Sequence, residues 1–469
     1  MNPRRTRIIC TLGPASSSPR VLRQLVRAGM DVARVNFSYG DEMTHRQTVA
    51  DVRAVAEQLG RPVALLQDVQ GPKIRVGHLE LGSVRLRKNA TVTLTARRLA
   101  GRDDLLPIGQ RRLLEALGPG DPVLLADGQI ELRVLQRKGL DAECLVVRGG
   151  VLGEGKGVAA PTCAVRLPSL TAKDHADLKL GARLGFDYVA LSFVRTGADV
   201  QACRNAMSRL NYKVPLIAKL ERAQALAHLP GILASADGVM VARGDLGVEL
   251  SLAEVPAAQK DIIDNANRAG VTVITATEML ESMVTNNRPT RAEASDVANA
   301  IWDGTDAVML SQETSVGEHP VESVRAMNLI CRAAEKHPSY HRERSPWTEP
   351  GSVGAAIAHA ATGVATEVGA RAIVAFTETG TTALRVSKSQ PTVPVIAASP
   401  HLETLRRAAL YQGVIPLLVA AGVDTDDLIA KASQAALASG IVRRRDSVVI
   451  VAGVSNRPGQ TNLLKVVTI

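Results

Sequence analysis

The chain has 469 residues, a formal net charge of +10, 46% apolar residues and only 2% aromatic ones. That length suggests about three domains, and the apolar share is enough for sizeable cores. The basic residues are spread out with no long run, and so few aromatics leave little for base stacking, so steering of small anionic substrates is expected rather than nucleic-acid binding.

No apolar run reaches the ~20 residues of a membrane helix, and the N-terminal MNPRRTRIICTLGP lacks the apolar centre of a signal peptide. The five cysteines, at 10, 144, 163, 203 and 331, form no CxxC pair. This fits a reduced compartment and argues against a disulfide frame or a zinc site. A cytoplasmic protein with no membrane partner is expected.

Taken in order, eight short apolar runs stand out: RIICTLGP (7–14), DVARVNFS (31–38), PVALLQDVQGP (62–72), DYVALSFV (187–194), VPLIAKLE (214–221), DGVMVARGD (237–245), VTVITATEM (271–279) and DAVMLSQET (306–314). Segments between several of them have helical periodicity; PRVLRQLVRAGM (19–30) puts Val21, Leu22, Leu25 and Val26 on one stripe. Eight such units predict a closed (β/α)8 barrel, residues 1–71 and 168–338, with its chemistry at the carboxyl ends of the strands. Polar residues gather at those ends: Asn36, Asp68, Lys219, Glu221, Asp245, Thr277 and Glu313.

More than 110 residues separate the third and fourth runs, too many for a structureless loop. ATVTLTARR, DPVLLADGQIELRVL and LDAECLVVRGG are strand candidates separated by PGD, DG and GG turns. Residues 72–167 are therefore expected to form an inserted all-β lid at the barrel mouth. After the helical VESVRAMNLICRAAEK and a linker, strands and helices alternate again. RAIVAFT, VPVIAAS, VIPLLVA and SVVIVAGV are the strand candidates. Residues 345–469 thus read as a separate α/β domain with a largely parallel sheet.

Lys219 and Glu221 lie two apart in a strand and so share a face. On their own, two readings stay open: a salt bridge at a strand end, or a site holding an anion beside a metal. The convergence of polar strand ends favours the site. TETGTT (377–382), between a strand and a helix, offers backbone N–H groups and hydroxyls for a phosphate, or simply a capped turn. VSNRPGQTN (454–462) is a candidate second wall.

The ordered motifs CTLGPAS (10–16), ARVNFSYG (33–40), DVQGPKIRVG (68–77), KGV (156–158), SFVR (192–195), AKLE (218–221), MVARGDLGVE (240–249), TATEMLESM (275–283) and RPTRAEASDVANAIWDGTDAVML (288–310) resemble pyruvate kinases over essentially the whole chain. The resemblance implies phosphoryl transfer from phosphoenolpyruvate to ADP, giving pyruvate and ATP in glycolysis. It implies Lys219 as transition-state stabiliser and Glu221 and Asp245 as ligands of Mg2+ or Mn2+. Arg34 matches the arginine near the transferred phosphate. After the sixth strand, RGDLG (243–247) reads as a loop whose glycine backbone a carboxylate could approach closely; backbone around Gly244 and Asp245, with Thr277, matches the seat of the substrate carboxylate, Thr277 lying near the face where the enolate is protonated. Asn36, Arg75 and Lys156 match nucleotide contacts, with Lys156 carried by the lid.

The resemblance also implies a homotetramer and a phosphorylated allosteric effector held by Thr377, Thr379, Gly380, Thr381 and Thr382. The chain departs from the family at Tyr39, Val69–Gln70, Glu278 and Gln312. A further departure is Lys73, which stands where many members carry glutamate in a GPEIR motif, beside the residues matching Asn36, Ser38 and Asp68 that hold potassium. An ammonium there would supply the positive charge, so K+ is expected not to be required. Two other readings fit less well: a metal-dependent aldolase, which leaves the lid and Lys156 unexplained, and a nucleic-acid binder, against which Lys219, Glu221 and Asp245 argue.

Overall fold

A computed structural model describes residues 4–163, 167–341, 347, 349, 351–421, 424–453 and 461–469. The eight runs become the eight parallel strands of a closed barrel: Arg7–Leu12, Val32–Asn36, Ala64–Val69, Tyr188–Leu191, Leu216–Leu220, Gly238–Ala242, Thr272–Ala276 and Ala307–Leu310. The ring closes where the first strand pairs with both the second and the last, Cys10 lying opposite Ala33 and Leu310. Alternate residues point opposite ways. Ile9, Val32, Leu66, Tyr188, Ala190, Ile217, Met240, Ile274 and Met309 pack together inside the barrel. Their neighbours Ile8, Cys10, Ala33, Leu65, Val189, Leu191 and Val239 pack outward against the helices.

Between the third and fourth strands the chain builds a six-stranded sheet and a separate antiparallel pair, Ser83–Leu86 with Gly150–Gly153. Both enclose a core that includes Leu79, Leu94, Leu106, Leu132 and Val146. The two connections to the barrel run side by side: Val76 N–H donates to Lys156 O (2.9 Å) and Val158 N–H to Ile74 O (2.9 Å). This pairing sets Arg75 next to Gly157 and brings Lys156 to the same tether.

The C-terminal sheet has five strands, Val414–Leu418, Val395–Ser399, Ala372–Phe376, Ser447–Ala452 and Leu463–Thr468 in that spatial order. The first four are parallel and the last pairs antiparallel to Ser447–Ala452. Each face has its own apolar cluster, Ile373 and Ala375 on one, Val374 and Phe376 on the other.

This unit docks beneath the barrel, against the amino ends of its strands. Tyr188 Oη donates to Arg407 O (2.7 Å) and Gln412 Nε2 to Thr305 O (3.0 Å). Arg406 Nε pairs with Asp187 Oδ1 (2.8 Å), and Lys388 Nζ with Asp306 Oδ2 (2.6 Å), the latter two both buried. The opposite end of the barrel is left to the inserted sheet. Among the described residues, no helix is long and apolar enough to cross a membrane.

Candidate active site at the barrel mouth

The fifth strand carries its inward face past the end of the barrel core: Ile217 packs inside, and Lys219 and Glu221 follow on the same side. Lys219 Nζ lies 2.9 Å from Glu221 Oε1 and 3.2 Å from Asp68 Oδ1. It also donates to Ser192 Oγ at 2.8 Å. Asp68 extends the inward stripe of the third strand and is bound at 2.7 Å by Arg34 Nε, on the inward stripe of the second. Arg34 Nη1 donates to Thr11 Oγ1 (2.8 Å) on the first. Five strand ends therefore converge on one charged network, and Lys219, Asp68, Glu221 and Arg34 are all buried.

The charges settle each other. Burial pulls the Lys219 ammonium down, but Asp68 and Glu221 outweigh it and hold the group above its ordinary value. Burial pushes the Asp68 carboxyl up, and Lys219 with Arg34 overcome that and hold it below. Glu221 stays raised: burial pushes it up, Lys219 opposes, and Asp245 adds like-charge repulsion. A carboxylate destabilised in this way gains from a nearby cation.

Asp245 sits in the first turn of a helix, Arg243–Glu249, that starts where the sixth strand ends. The RGDLG stretch, read from its glycines as a loop, is thus helical. Asp245 and Glu221 line one small cavity of about 30 Å³ with Lys73, Asp127, Phe193 and Arg222. Among the described residues, no three His, Cys, Asp or Glu side chains are grouped to hold a metal. Two carboxylates with no nitrogen or sulfur donor suit a hard ion such as Mg2+ or Mn2+, which takes oxygen ligands and retains waters or substrate oxygens. The residues present fit that group.

Thr277 and Glu278 follow the seventh strand with φ of +65° and +53°, left-handed conformations that cost non-glycine residues of order 1–2 kcal/mol each. Arg243 holds them there. Its Nη2 donates to Thr277 O (2.8 Å) and Glu278 O (3.0 Å), while Nη1 pairs with Asp296 (2.6 Å). Thr277 Oγ1 accepts the Gly244 N–H at 2.8 Å and donates to Ala276 O at 2.6 Å. Phe193 is also left-handed, φ +57°, and its N–H donates to Glu221 Oε2 at 2.7 Å. Strained backbone thus lies beside Glu221, through Phe193, and beside the Gly244–Asp245 turn, through Thr277.

Asn36 and Asp68 lie opposite each other at the ends of the second and third strands, and Asn36 Oδ1 accepts the Ser38 N–H at 3.0 Å. Lys73, assigned to that group by its motif position, lies instead at Asp245, 3.0 Å from Oδ1. The tether leaving the third strand turns toward the sixth, and its side chain follows. Arg75 Nη1 donates to Gly155 O (2.8 Å) and Lys156 is exposed. In the C-terminal unit, Gly380, φ +94°, donates its N–H to Thr377 Oγ1 (2.9 Å), and the exposed Thr379 and Thr381 hydroxyls are 3.0 Å apart. Thr382 is buried and shares a 2.8 Å hydrogen bond with Thr461. Of the candidate second wall, residues 454–460 lie outside the described residues.

Ser192 and Arg243 were not singled out from sequence. Ser192 was findable: it continues the alternation Tyr188, Ala190, Ser192 inward. Arg243 carried no such signal, since its work is done on carbonyl groups.

The fold and this mouth define a (β/α)8-barrel enzyme with an inserted β lid and a C-terminal α/β unit. Residues 3–324 match the family model for the pyruvate kinase barrel domain, and residues 355–467 that for the pyruvate kinase alpha/beta domain. A pyruvate kinase 2 of Synechocystis sp. is 43% identical, over 99% of this chain and 79% of its own length. Pyruvate kinases of Mycobacterium tuberculosis (strain ATCC 25618 / H37Rv) and Geobacillus stearothermophilus are each 42% identical over 99% of this chain, covering 98% and 80% of their own lengths. The chain belongs to the pyruvate kinase family.

Proposed function

We propose that this enzyme transfers the phosphoryl group of phosphoenolpyruvate to ADP, giving pyruvate and ATP in glycolysis, in the cytoplasm. The observation that carries the reading is the placement of Lys219 and Glu221 on one inward face, 2.9 Å apart, with Asp245 lining the same cavity as Glu221. Phosphoryl transfer asks for positioning and neutralisation of oxygen charge more than for covalent help. Lys219, kept charged, and Arg34 meet the equatorial oxygens of the moving group. Glu221 and Asp245 hold Mg2+ or Mn2+, which when bound neutralises phosphate and substrate carboxylate oxygens. Thr277 and the N–H groups at the start of helix Arg243–Glu249 seat the substrate carboxylate. Asn36, Arg75 and Lys156 take the nucleotide, Lys156 arriving with the lid.

Regulation by a phosphorylated ligand is proposed for Thr377, Thr379, Gly380 and Thr381, where a helix start and two exposed hydroxyls face out together; Thr382 supports the loop through Thr461. The helix that begins there, Thr381–Lys388, ends in the buried Lys388–Asp306 pair at the start of the eighth barrel strand, a route from loop to barrel. A homotetramer is proposed from the family resemblance.

Independence from potassium is proposed on two grounds. Asp68 is already countered by Arg34 and Lys219, and Lys73 brings a further positive charge to the mouth, where a monovalent ion would be repelled. The test is a coupled assay of ADP-dependent pyruvate formation, in tetramethylammonium and in potassium at equal ionic strength, for the parent and Lys219→Met. Turnover should require ADP, be indifferent to potassium, and fall roughly 10²-fold or more in the variant. Near-normal turnover in Lys219→Met would overturn the assignment, and a large rise on adding potassium would overturn the potassium reading alone.

A further inference from the structure

Lys73 reaches Asp245 from the lid side. Its ammonium is 3.0 Å from Asp245 Oδ1, 3.9 Å from Asp127 Oδ1 in the inserted sheet unit, and 5.9 Å from the centroid of the Phe193 ring. Lys73 thus bridges a barrel carboxylate and a lid carboxylate. We propose that Lys73 is an internal counter-ion sharing Asp245 with the divalent metal ion, so that metal uptake at Asp245 shifts Lys73 toward Asp127 and couples metal binding to the seating of the lid. This rests on the reading of Glu221 and Asp245 as the metal-holding pair.

Three features carry it. The first is competition: a carboxylate already hydrogen-bonded to an ammonium cannot accept a divalent ion on the same oxygen without like-charge repulsion between the two cations. The second is exchangeability. The side chains of Lys73 and Asp245 are 24% and 32% exposed, so the pair is open to water and weak enough to be displaced, unlike the buried Lys219–Glu221 pair. The third is the presence of a second acceptor.

Asp127 is 64% exposed at its side chain and stands in a turn where Ala126, Asp127 and Gly128 all have positive φ. That turn faces the helix bearing Asp245: a Cβ on Gly128 would lie 3.9 Å from Val248 Cγ2. A small movement of the ammonium therefore exchanges a barrel contact for a lid contact. The Phe193 ring, with the Arg222 guanidinium carbon 5.3 Å from its centroid, bounds that movement on one side.

The test uses Mn2+ alone as the probe, on the full chain in tetramethylammonium buffer, with free Mn2+ read by electron paramagnetic resonance. Lys73→Met should bind Mn2+ roughly fivefold more tightly than the parent, as for removal of an exposed competing charge, and Lys73→Arg should stay close to the parent. Hydrogen exchange of residues 124–129 should respond to Mn2+ in the parent and become insensitive to it in Lys73→Met. Equal or weaker Mn2+ binding by a folded Lys73→Met protein would overturn the inference. Asp245→Asn separates the two readings: if it weakens Mn2+ binding while Lys73→Met matches the parent, only the shared carboxylate is lost. If Asp245→Asn leaves Mn2+ binding unchanged, the metal assignment itself falls and the inference with it.

Discussion

Ser192 Oγ accepts a hydrogen bond from Lys219 Nζ at 2.8 Å while donating its own proton to Val69 O at 2.8 Å. The hydroxyl is thereby oriented with a lone pair toward the ammonium. With Glu221 and Asp68, it gives the three N–H groups of Lys219 three acceptors. On the proposed function a phosphate oxygen takes up one of these N–H groups, and the contacts that remain, Ser192 among them, keep the ammonium aimed. Ser192 is therefore a positioning residue for Lys219. Ser192→Ala should lower kcat about tenfold, as for a misplaced catalytic group, with the phosphoenolpyruvate KM changed little. Ser192→Thr, which keeps the hydroxyl, should recover part of the loss. A fall confined to KM, or no recovery by threonine, would remove Ser192 from this role.

Arg243 offers a second test, of the strained turn. Its guanidinium binds the carbonyls of two successive left-handed residues, Thr277 and Glu278, and is anchored by Asp296. Lysine cannot reproduce that fork. In Arg243→Lys the turn should relax, taking Thr277 Oγ1 away from the Gly244 N–H. The expected result is a rise of about tenfold in the phosphoenolpyruvate KM, because the seat for the substrate carboxylate is disturbed. Unchanged steady-state kinetics in a folded Arg243→Lys protein would show that the turn holds its shape without the arginine.

These two residues mark how far the sequence can be read. The strand alternation that puts Ile217, Lys219 and Glu221 on one face is a property of residue order, so the charged pair and the barrel mouth were legible. The same rule reaches Ser192, although a serine among apolar residues invites a local explanation. Left-handed backbone at Thr277, Glu278 and Phe193 was not legible, because none is a glycine and the conformation is imposed by Arg243 and Glu221 from elsewhere in the chain. RGDLG looked like a loop because glycine disfavours helix, yet the sixth strand delivers the chain into a helical turn there. The Lys73–Asp245 contact was not legible, because motif position fixes where a Cα lies along the chain, not which carboxylate a long side chain reaches.

The underside of the barrel yields a prediction about pH. Asp31 is buried, paired with Arg4 at 2.7 Å and Arg7 at 3.5 Å, and accepts the Ile8 N–H at 2.9 Å. Burial pushes its carboxyl up, but the two guanidiniums outweigh this and hold it below the ordinary value of 3.8. A group depressed in the folded state stabilises the fold above its unfolded value and loses that contribution as pH falls through the folded one. Asp31→Asn should therefore cost about 3–5 kcal/mol near neutral pH, as for breaking a buried pair. The gap between parent and variant should narrow as pH is lowered below 3.8. Urea-unfolding midpoints across that range measure it; a gap that stays constant down through the acid range would mean that Asp31 is not the group being titrated.

One helix links the Thr377–Thr382 loop to the barrel. The exposed Thr379 and Thr381 hydroxyls lie at the start of helix Thr381–Lys388. At its other end Lys388 is buried, 2.6 Å from Asp306 and 3.0 Å from Asn267 Oδ1. Asp306 in turn accepts the N–H of Val273, at 2.7 Å, in the seventh strand, the strand that runs on to Thr277. On the proposed effector reading, a ligand that shifts the helix start would push on a helix whose far end is tied, through Asp306, to the seventh and eighth strands. Thr381→Ala should weaken activation by phosphorylated sugars or AMP several-fold, by loss of a hydroxyl donor, with the basal rate intact. Lys388→Met should leave effector binding by calorimetry in place but blunt its effect on turnover, because the helix loses its anchor. Activation curves of Thr381→Ala that superimpose on the parent's across a panel of such ligands would put the effector elsewhere. Full activation of Lys388→Met would show that the coupling does not run through Asp306.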